Sequence, residues 1–149
     1  MLSNITSEIK AFLDTQKLGY VATVSSDGKP NISPKGTIIS WSDNSLVFAN
    51  IRSPDTIINL QNNPFVEVNV IDPLTRKGYL FTGTGKIIKD TLMYNDILNH
   101  YRSNGIESPI VSIVMVSISS ISVVTSPLYD LGKTEKEIKS KWKKYFSGL

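Results

Sequence analysis

A chain of 149 residues is long enough to bury the core of one domain, and 40% hydrophobic with 19% charged residues is typical of globular proteins. The absence of cysteine excludes disulfides, thiolate metal sites and cysteine nucleophiles, and a single histidine excludes a histidine-rich metal centre. The net charge of +3 comes from residues 133–144, which hold six lysines and two glutamates. A nucleic-acid-binding protein carries basic residues across a folded face, so this one segment is interpreted as a solvated helix face.

The N-terminus and the longest apolar stretch give no targeting or membrane signal. Charged residues interrupt the apolar positions of MLSNITSEIKAFLDTQ, unlike those of a signal peptide. The stretch IVSIVMVSISSISVV is broken by serines and is too short to span a bilayer. We therefore expect a cytoplasmic protein without a membrane partner.

The first half of the chain predicts one helix and three strands. The opening helix follows from apolar residues at helical spacing, namely Leu2, Ile5, Ile9, Phe12 and Leu13. The strand LGYVATVSS comes next and ends at an Asp27–Gly28 turn. A turn at SDN then separates the strands TIISW and SLVFAN.

The second half predicts three longer strands and two further helices. FVEVNVID alternates as a half-buried strand does, and the glycines of GYLFTGTGKIIK predict a bend or bulge. A helix at DTLMYNDILNHYR precedes the closing strand SPIVSIVMVSISSISVVT. The tail has aromatic and apolar residues at helical spacing: Ile138, Trp142, Tyr145 and Phe146. These aromatics either meet a partner or cover one end of the sheet.

These elements predict a mainly β protein of the α+β class, folded as a single domain over residues 1–149. Hairpin-length connections indicate an antiparallel sheet of six strands, with the helices at its periphery. Long strands with glycine kinks indicate that the sheet closes, or nearly closes, into a barrel.

The segment Phe48–Pro64 has the features of an anion site at the start of a helix. The strand ends at Asn50, Ser53 occupies the N-cap position and Pro54 fits the first helical position. Backbone N–H groups at such a helix start, with Arg52, Ser53 and Thr56 around them, predict a seat for a phosphate. An ordinary helix cap is the alternative interpretation.

The stretch DGKPNISPKGT interrupts the sheet with two prolines and two glycines. Because Pro30 and Pro34 cannot donate ladder hydrogen bonds, this segment lies at a sheet edge or splits away from a neighbour. Gly36 allows a ligand to approach the backbone, and Lys35 adds positive charge. The alternative is a plain turn between two strands.

A third segment, TRKGYLF, places Arg76 and Lys77 before Gly78 at the start of a strand. By itself this pattern is equally that of a basic surface turn. All three segments pair a cation or hydroxyl with a backbone irregularity, which favours one shared site for a flat, phosphorylated ligand.

The ordered set VATVSSDGKPNISPKGT, LVFANIRSPDTIINLQNNPFVEVNV and KGYLFTGTGKI resembles the pyridoxamine 5′-phosphate oxidase-like flavoproteins, the FMN-binding split-barrel family. The resemblance runs from about Leu18 to Ile88 and continues through the last strand and C-terminal helix. It implies a split β-barrel homodimer that holds one FMN per subunit at the subunit interface.

The resemblance also implies which residues hold the cofactor. The flavin ring would lie along Ser33, Pro34, Lys35, Gly36 and Thr37. The phosphate and ribityl chain would be held by Asn50, Arg52, Ser53, Thr56 and Asn59. Lys77 and Gly78 match the strand that approaches from the other side. No catalytic residue and no metal ligand is predicted.

The sequence departs from the family's namesake in two places. The namesake oxidases carry a C-terminal substrate-binding segment rich in arginine and histidine, whereas this chain has no histidine after His100. RSPDT replaces the usual Arg-Lys pair of the phosphate segment, so phosphate affinity would depend on Arg52, Lys35 or Lys77. We therefore do not expect oxidation of pyridoxamine phosphate.

Three functions from different classes are consistent with the sequence. The first is an FMN-dependent oxidoreductase that passes electrons from a reduced nicotinamide to a small acceptor. The second is a flavin-binding protein or electron carrier without turnover of its own. The third is a split barrel that binds haem or a deazaflavin instead of FMN. No G-x-G-x-x-G fingerprint is present, so a nicotinamide would have to visit the open face of the flavin.

Overall fold

The structure, a computed structural model, describes residues 1–149 and consists of one seven-stranded antiparallel sheet with four α-helices. The helices are α1 (Ser7–Gln16), α2 (Pro54–Asn62), α3 (Leu92–Ser103) and α4 (Glu135–Ser147). The strands are β1 (Gly19–Val24), β2 (Pro30–Lys35), β3 (Ile39–Ser42), β4 (Ser45–Asn50), β5 (Phe65–Asp72), β6 (Lys77–Ile88) and β7 (Ser112–Thr125). The mainly β architecture is confirmed, but the predicted six strands are one too few. The additional strand is β2, which pairs with β1 despite its two prolines.

The strand order is β2-β1-β5-β6-β7-β4-β3, so β2 and β3 are the two edge strands. Only residues 36–38 connect them, a path of about 15 Å at most. Because seven strands in a flat sheet would span about 29 Å, the sheet must curl until its edges meet. The short connection therefore makes the sheet a barrel, and the edge position predicted from the prolines of β2 is confirmed.

The predicted bend in the long sixth strand is confirmed. The register between β6 and β7 shifts between Thr82 and Gly83. A Cβ atom at Gly83 would lie 2.1 Å from the carbonyl oxygen of Ser117, so only glycine allows the two strands to approach so closely.

The first helix begins later than its apolar spacing predicts. Leu2 instead forms an isolated bridge with Ile121, and α1 begins at Ser7 after Thr6, whose hydroxyl accepts a hydrogen bond from the N–H of Ile9. The barrel interior holds the main core, in which α1 buries Ile9 and Leu13. A second, smaller core lies between α3 and strands β4 and β7.

The aromatic residues of α4 have different environments. The guanidinium of Arg76 lies 3.6 Å from the ring centre of Trp142, and both residues line a cavity beside β5 and β7. Tyr145 and Phe146 remain exposed. Thr134 and Glu137 form a capping box that starts the helix. No helix reaches the length and apolar character needed to cross a bilayer.

Candidate functional site

Two of the three predicted segments are in direct contact. The ammonium group of Lys35, at the end of β2, donates a hydrogen bond to the hydroxyl of Ser53 at the start of α2. It donates a second hydrogen bond to the hydroxyl of Ser33, at 2.9 Å. The curl of the barrel produces this contact, because it brings the edge strand β2 against α2.

Lys35 is a buried cation without a counter-charge. Its exposed fraction is 7%, and none of the three ion pairs in the structure includes it. Burial lowers the pKa of its ammonium group, because desolvation disfavours the charged form. The ring of Phe48 lies 5.9 Å from the ammonium nitrogen and compensates for only part of this cost. Because burying a charge without a counter-charge is costly, an anion bound beside Lys35 would be favoured.

The N-terminus of α2 adds backbone donors beside this cation. Ser53 occupies the N-cap position, yet its side chain makes no capping hydrogen bond, and its oxygen instead accepts from Lys35. The N–H groups of Asp55 and Thr56, in the first helical turn, have no hydrogen-bond partner. They therefore remain available to an anion. The carboxylate in this turn, that of Asp55, belongs to an exposed residue.

Asn50 fixes the conformation of the turn between β4 and α2. Its side-chain oxygen accepts a hydrogen bond from the N–H of Ser53 at 3.2 Å. Its amide nitrogen donates to the hydroxyl of Ser112 on β7 at 3.0 Å. The residue is 8% exposed, so it acts within the protein and fixes the position of the serine that Lys35 contacts.

The connection between the two sheet edges is also fixed by hydrogen bonds. The hydroxyl of Thr37 accepts from the N–H of Ala49 at 2.9 Å, and its carbonyl accepts from the hydroxyl of Tyr101 at 2.7 Å. Burial raises the pKa of Tyr101, so its hydroxyl stays protonated and continues to donate. Pro34 and Gly36, beside this anchored residue, are exposed. A Cβ atom at Gly36 would have no neighbour closer than 3.9 Å, which leaves room for a ligand at the backbone.

The remaining residues of the predicted phosphate segment differ in exposure. Thr56 and Asn59 are buried on the inner face of α2, and the amide of Asn59 donates to the hydroxyl of Thr23 at 3.0 Å. This hydrogen bond attaches α2 to β1. Arg52 is exposed, so its guanidinium is free to approach a ligand.

The third predicted segment lies apart from the other two within one chain. The ammonium of Lys77 lies 3.8 Å from the carboxylate of Glu135 and 4.6 Å from the ring centre of Tyr129. Gly78 has a structural explanation, because a Cβ atom there would lie 2.0 Å from the carbonyl oxygen of Val70. Both residues line a cavity beside α1 that contains none of the other predicted site residues.

Sequence reasoning missed three residues that support the site. Tyr101 and Ser112 anchor Thr37 and Asn50, and Thr23 holds Asn59. Each contact spans more than thirty residues of sequence. No local pattern around a tyrosine, serine or threonine marks such a role, and only the tertiary fold brings these groups together.

The donors of the site match one kind of ligand group. A buried ammonium, two unpartnered backbone N–H groups and an exposed guanidinium are donors of the kind that bind an anion such as a phosphate. The fold defines a split-barrel protein, and these donors form a candidate anion site where β2 meets the start of α2.

Comparison with known proteins identifies the family. Residues 5–119 match the family described as pyridoxamine 5′-phosphate oxidase, and the chain belongs to that family. A search of curated protein sequences gave no significant match.

Solved structures share the fold over most of the chain. HupZ of Group A Streptococcus superposes with a TM-score of 0.74 at 28% identity, covering 82% of this chain and 95% of that one. An FMN-binding protein from Syntrophomonas wolfei superposes with a TM-score of 0.70 at 12% identity, covering 82% and 87%. HutZ, the heme storage protein of Vibrio cholerae, gives a TM-score of 0.65 at 18% identity and covers 80% and 94%.

Proposed function

We propose that this protein binds FMN and acts as an oxidoreductase that passes electrons from a reduced nicotinamide to a small acceptor. One observation carries the cofactor assignment: Lys35 is buried without a carboxylate, next to unpartnered N–H groups at the start of α2. Membership of the family and the likeness in fold to an FMN-binding protein support it.

Each group of site residues has its own part in this proposal. Lys35, Arg52 and the N–H groups of Asp55 and Thr56 bind the phosphate. The backbone of residues 33–37 lies along the flavin edge, where Gly36 leaves space and Tyr101 holds the connection still. Asn50, Ser53 and Asn59 keep the turn and α2 in position.

A second copy of the chain completes the site in this proposal. The outer face of β1, β2 and β5 exposes an apolar patch, with Ile32 at 68%, Phe65 at 66% and Tyr20 at 48% exposure. Exposed apolar residues that share one face of a sheet in this way mark an interaction surface. We assign it to a homodimer interface, and we assign Lys77 and Gly78 to the site of the opposite copy, because they lie outside the site of their own chain.

The bound flavin would supply the redox chemistry by accepting a hydride and releasing electrons to the acceptor. The chain's own residues bind the phosphate, orient the ring through backbone groups and limit access to one edge of the barrel. The sequence offers no nucleophile–base pair beside the site, and hydride transfer requires none. A nicotinamide donor visits the site transiently, because the chain has no dinucleotide-binding fingerprint.

The absorbance spectrum of the purified protein tests the cofactor, and anaerobic addition of NADH or NADPH tests the reaction. We expect a yellow protein that releases a flavin with one phosphate and bleaches faster than free FMN. A yellow protein that does not bleach would support the second function, a flavin-binding protein or electron carrier without turnover.

Haem is the second candidate ligand, because the fold is shared with the heme storage protein HutZ. His100 is the single histidine, and it lies on α3 with its ring 5.9 Å from that of Trp41. A Soret band that His100→Ala abolishes, without flavin absorbance, would replace FMN by haem. A flavin spectrum unchanged in His100→Ala would exclude that role for the histidine.

A further inference from the structure

A second cavity lies between α1, the connection from β2 to β3, and α3. Its volume is about 370 Å³, within the range of about 300–1,000 Å³ for small-molecule sites. Buried side chains form its inner wall, among them Leu13, Ile38 and Tyr101. The cavity therefore combines an apolar interior with an opening to solvent.

The rim of this cavity carries a net positive charge. Lys10 and Asp14 pair at 3.1 Å, so their charges compensate each other. Lys17 also lines the cavity and forms no ion pair. The imidazole of His100 and the amide of Asn104 add hydrogen-bond donors. An apolar wall with one uncompensated cation suits an organic anion better than a neutral or cationic molecule.

Lys17 has a backbone conformation that favours glycine. It follows the last residue of α1 with φ 59° and ψ −15°, in the left-handed region, and its N–H donates to the carbonyl of Leu13. Glycine is the usual residue at such a helix end because it lacks Cβ. The chain instead places a lysine here, and this exposed residue lines the cavity.

We propose that this cavity binds a small organic carboxylate with a compact apolar body, held by Lys17 at its charged end and by Leu13 and Ile38 at its apolar end. The proposal does not depend on FMN. The cavity shares Gly36 and Thr37 with the proposed flavin site, so a bound carboxylate lies next to the segment assigned to the flavin edge.

Proton NMR of the protein as purified tests this binding, with benzoate as the probe. The chain has a single histidine, so the imidazole signals of His100 report on the cavity rim without ambiguity. We expect benzoate to shift these signals with saturation. Benzamide has the same shape without the charge, and its affinity should be lower by a factor of about ten or more. Absence of a saturable shift, or equal affinity for both compounds, would overturn the proposal.

Lys17→Gly separates the ligand role from the backbone. The glycine relieves the left-handed conformation, so the thermal midpoint should stay equal or rise while benzoate affinity falls about tenfold. Lys17→Asn, which tolerates the same conformation, should lose affinity in the same way.

Asp90→Gly is the matched control, because Asp90 has φ 56° and does not line the cavity. It should leave benzoate binding unchanged. Unchanged affinity in both Lys17 variants, or an equal loss in Asp90→Gly, would refute the assignment of Lys17. Flavin absorbance is measured independently, so failure here leaves the FMN proposal standing.

Discussion

The ammonium group of Lys35 donates a hydrogen bond to the hydroxyl of Ser53, 18 residues further along the chain. This contact joins the edge strand β2 to the first turn of α2. A hydroxyl partner orients the cation but does not neutralise it. The free protein therefore holds an uncompensated buried charge, and the proposed phosphate would supply the missing countercharge.

Replacement of Lys35 should have opposite effects on stability and on cofactor affinity. In Lys35→Met, the free protein should be more stable because the buried charge is removed, whereas FMN should bind more weakly by about 1.5–3 kcal/mol. Urea unfolding and calorimetric titration measure the two effects. Riboflavin affinity should stay nearly unchanged, and Lys86→Met, at an exposed position, is the control. A parallel loss of FMN and riboflavin affinity would contradict the phosphate assignment.

The double substitution Ser53→Ala and Thr56→Ala should weaken FMN and leave riboflavin binding nearly unchanged. The serine orients the ammonium of Lys35, and the threonine lies in the first turn of α2. Competition between the two flavins, followed by fluorescence quenching, measures the difference. The control is the exposed pair Ser26→Ala and Thr84→Ala. If FMN and riboflavin lose affinity equally, the assignment of the phosphate to the start of α2 is wrong.

Two glycines in the predicted site should respond differently to alanine. At Gly36 the added Cβ would have no neighbour closer than 3.9 Å, so folding should be unaffected while FMN and riboflavin both bind more weakly. At Gly78 the Cβ would lie 2.0 Å from the carbonyl oxygen of Val70, and stability should fall by about 1–3 kcal/mol or more. Thermal unfolding and flavin titration of each variant check this contrast. Equal destabilisation by both substitutions would count against it.

Tyr101→Phe should destabilise the protein by about 1–3 kcal/mol, because the buried carbonyl of Thr37 loses its donor. Burial raises the pKa of Tyr101 above its ordinary value of 10.0, so the folded state keeps this proton after the unfolded state has lost it. The contribution of the phenol is therefore complete below pH 10 and declines as the pH rises further. Urea unfolding of wild type and variant should show a difference that shrinks above pH 10.

Tyr145→Phe, at an exposed residue with no side-chain hydrogen bond, is the control for Tyr101→Phe. It should leave stability unchanged at neutral pH. If the difference in free energy of unfolding between Tyr101→Phe and wild type grows above pH 10, its sign is opposite to that expected from the raised pKa of the buried phenol, and this explanation is refuted.

Ile32→Lys should convert the proposed dimer to a monomer. The side chain is 68% exposed on the outer face of β2, and a lysine there would place charge within the apolar patch. Sedimentation velocity measures the mass in solution. Leu92→Lys, at 84% exposure on α3, should leave the mass unchanged. A wild-type protein that sediments as a monomer at micromolar concentration would rule out this interface.

The sequence by itself determined most secondary structure and the nature of the fold. Prolines placed β2 at an edge, and paired glycines indicated the bulge at Gly83, because both residue types restrict the backbone locally. The count of six strands left β2 out, although the prolines had placed the same segment at a sheet edge. Apolar spacing predicted that α1 would begin at Leu2, whereas the backbone of that residue forms a β-bridge with Ile121 of β7.

Only the tertiary structure decided how the site is assembled. The sequence indicated that Lys35 and the start of α2 belong together, but not that the lysine would donate to the hydroxyl of Ser53 or that this hydroxyl would make no capping bond. It gave no sign that Tyr101 anchors the connection between the sheet edges. These contacts depend on closure of the barrel, which joins residues far apart in the chain, whereas local patterns record only the preferences of neighbouring residues.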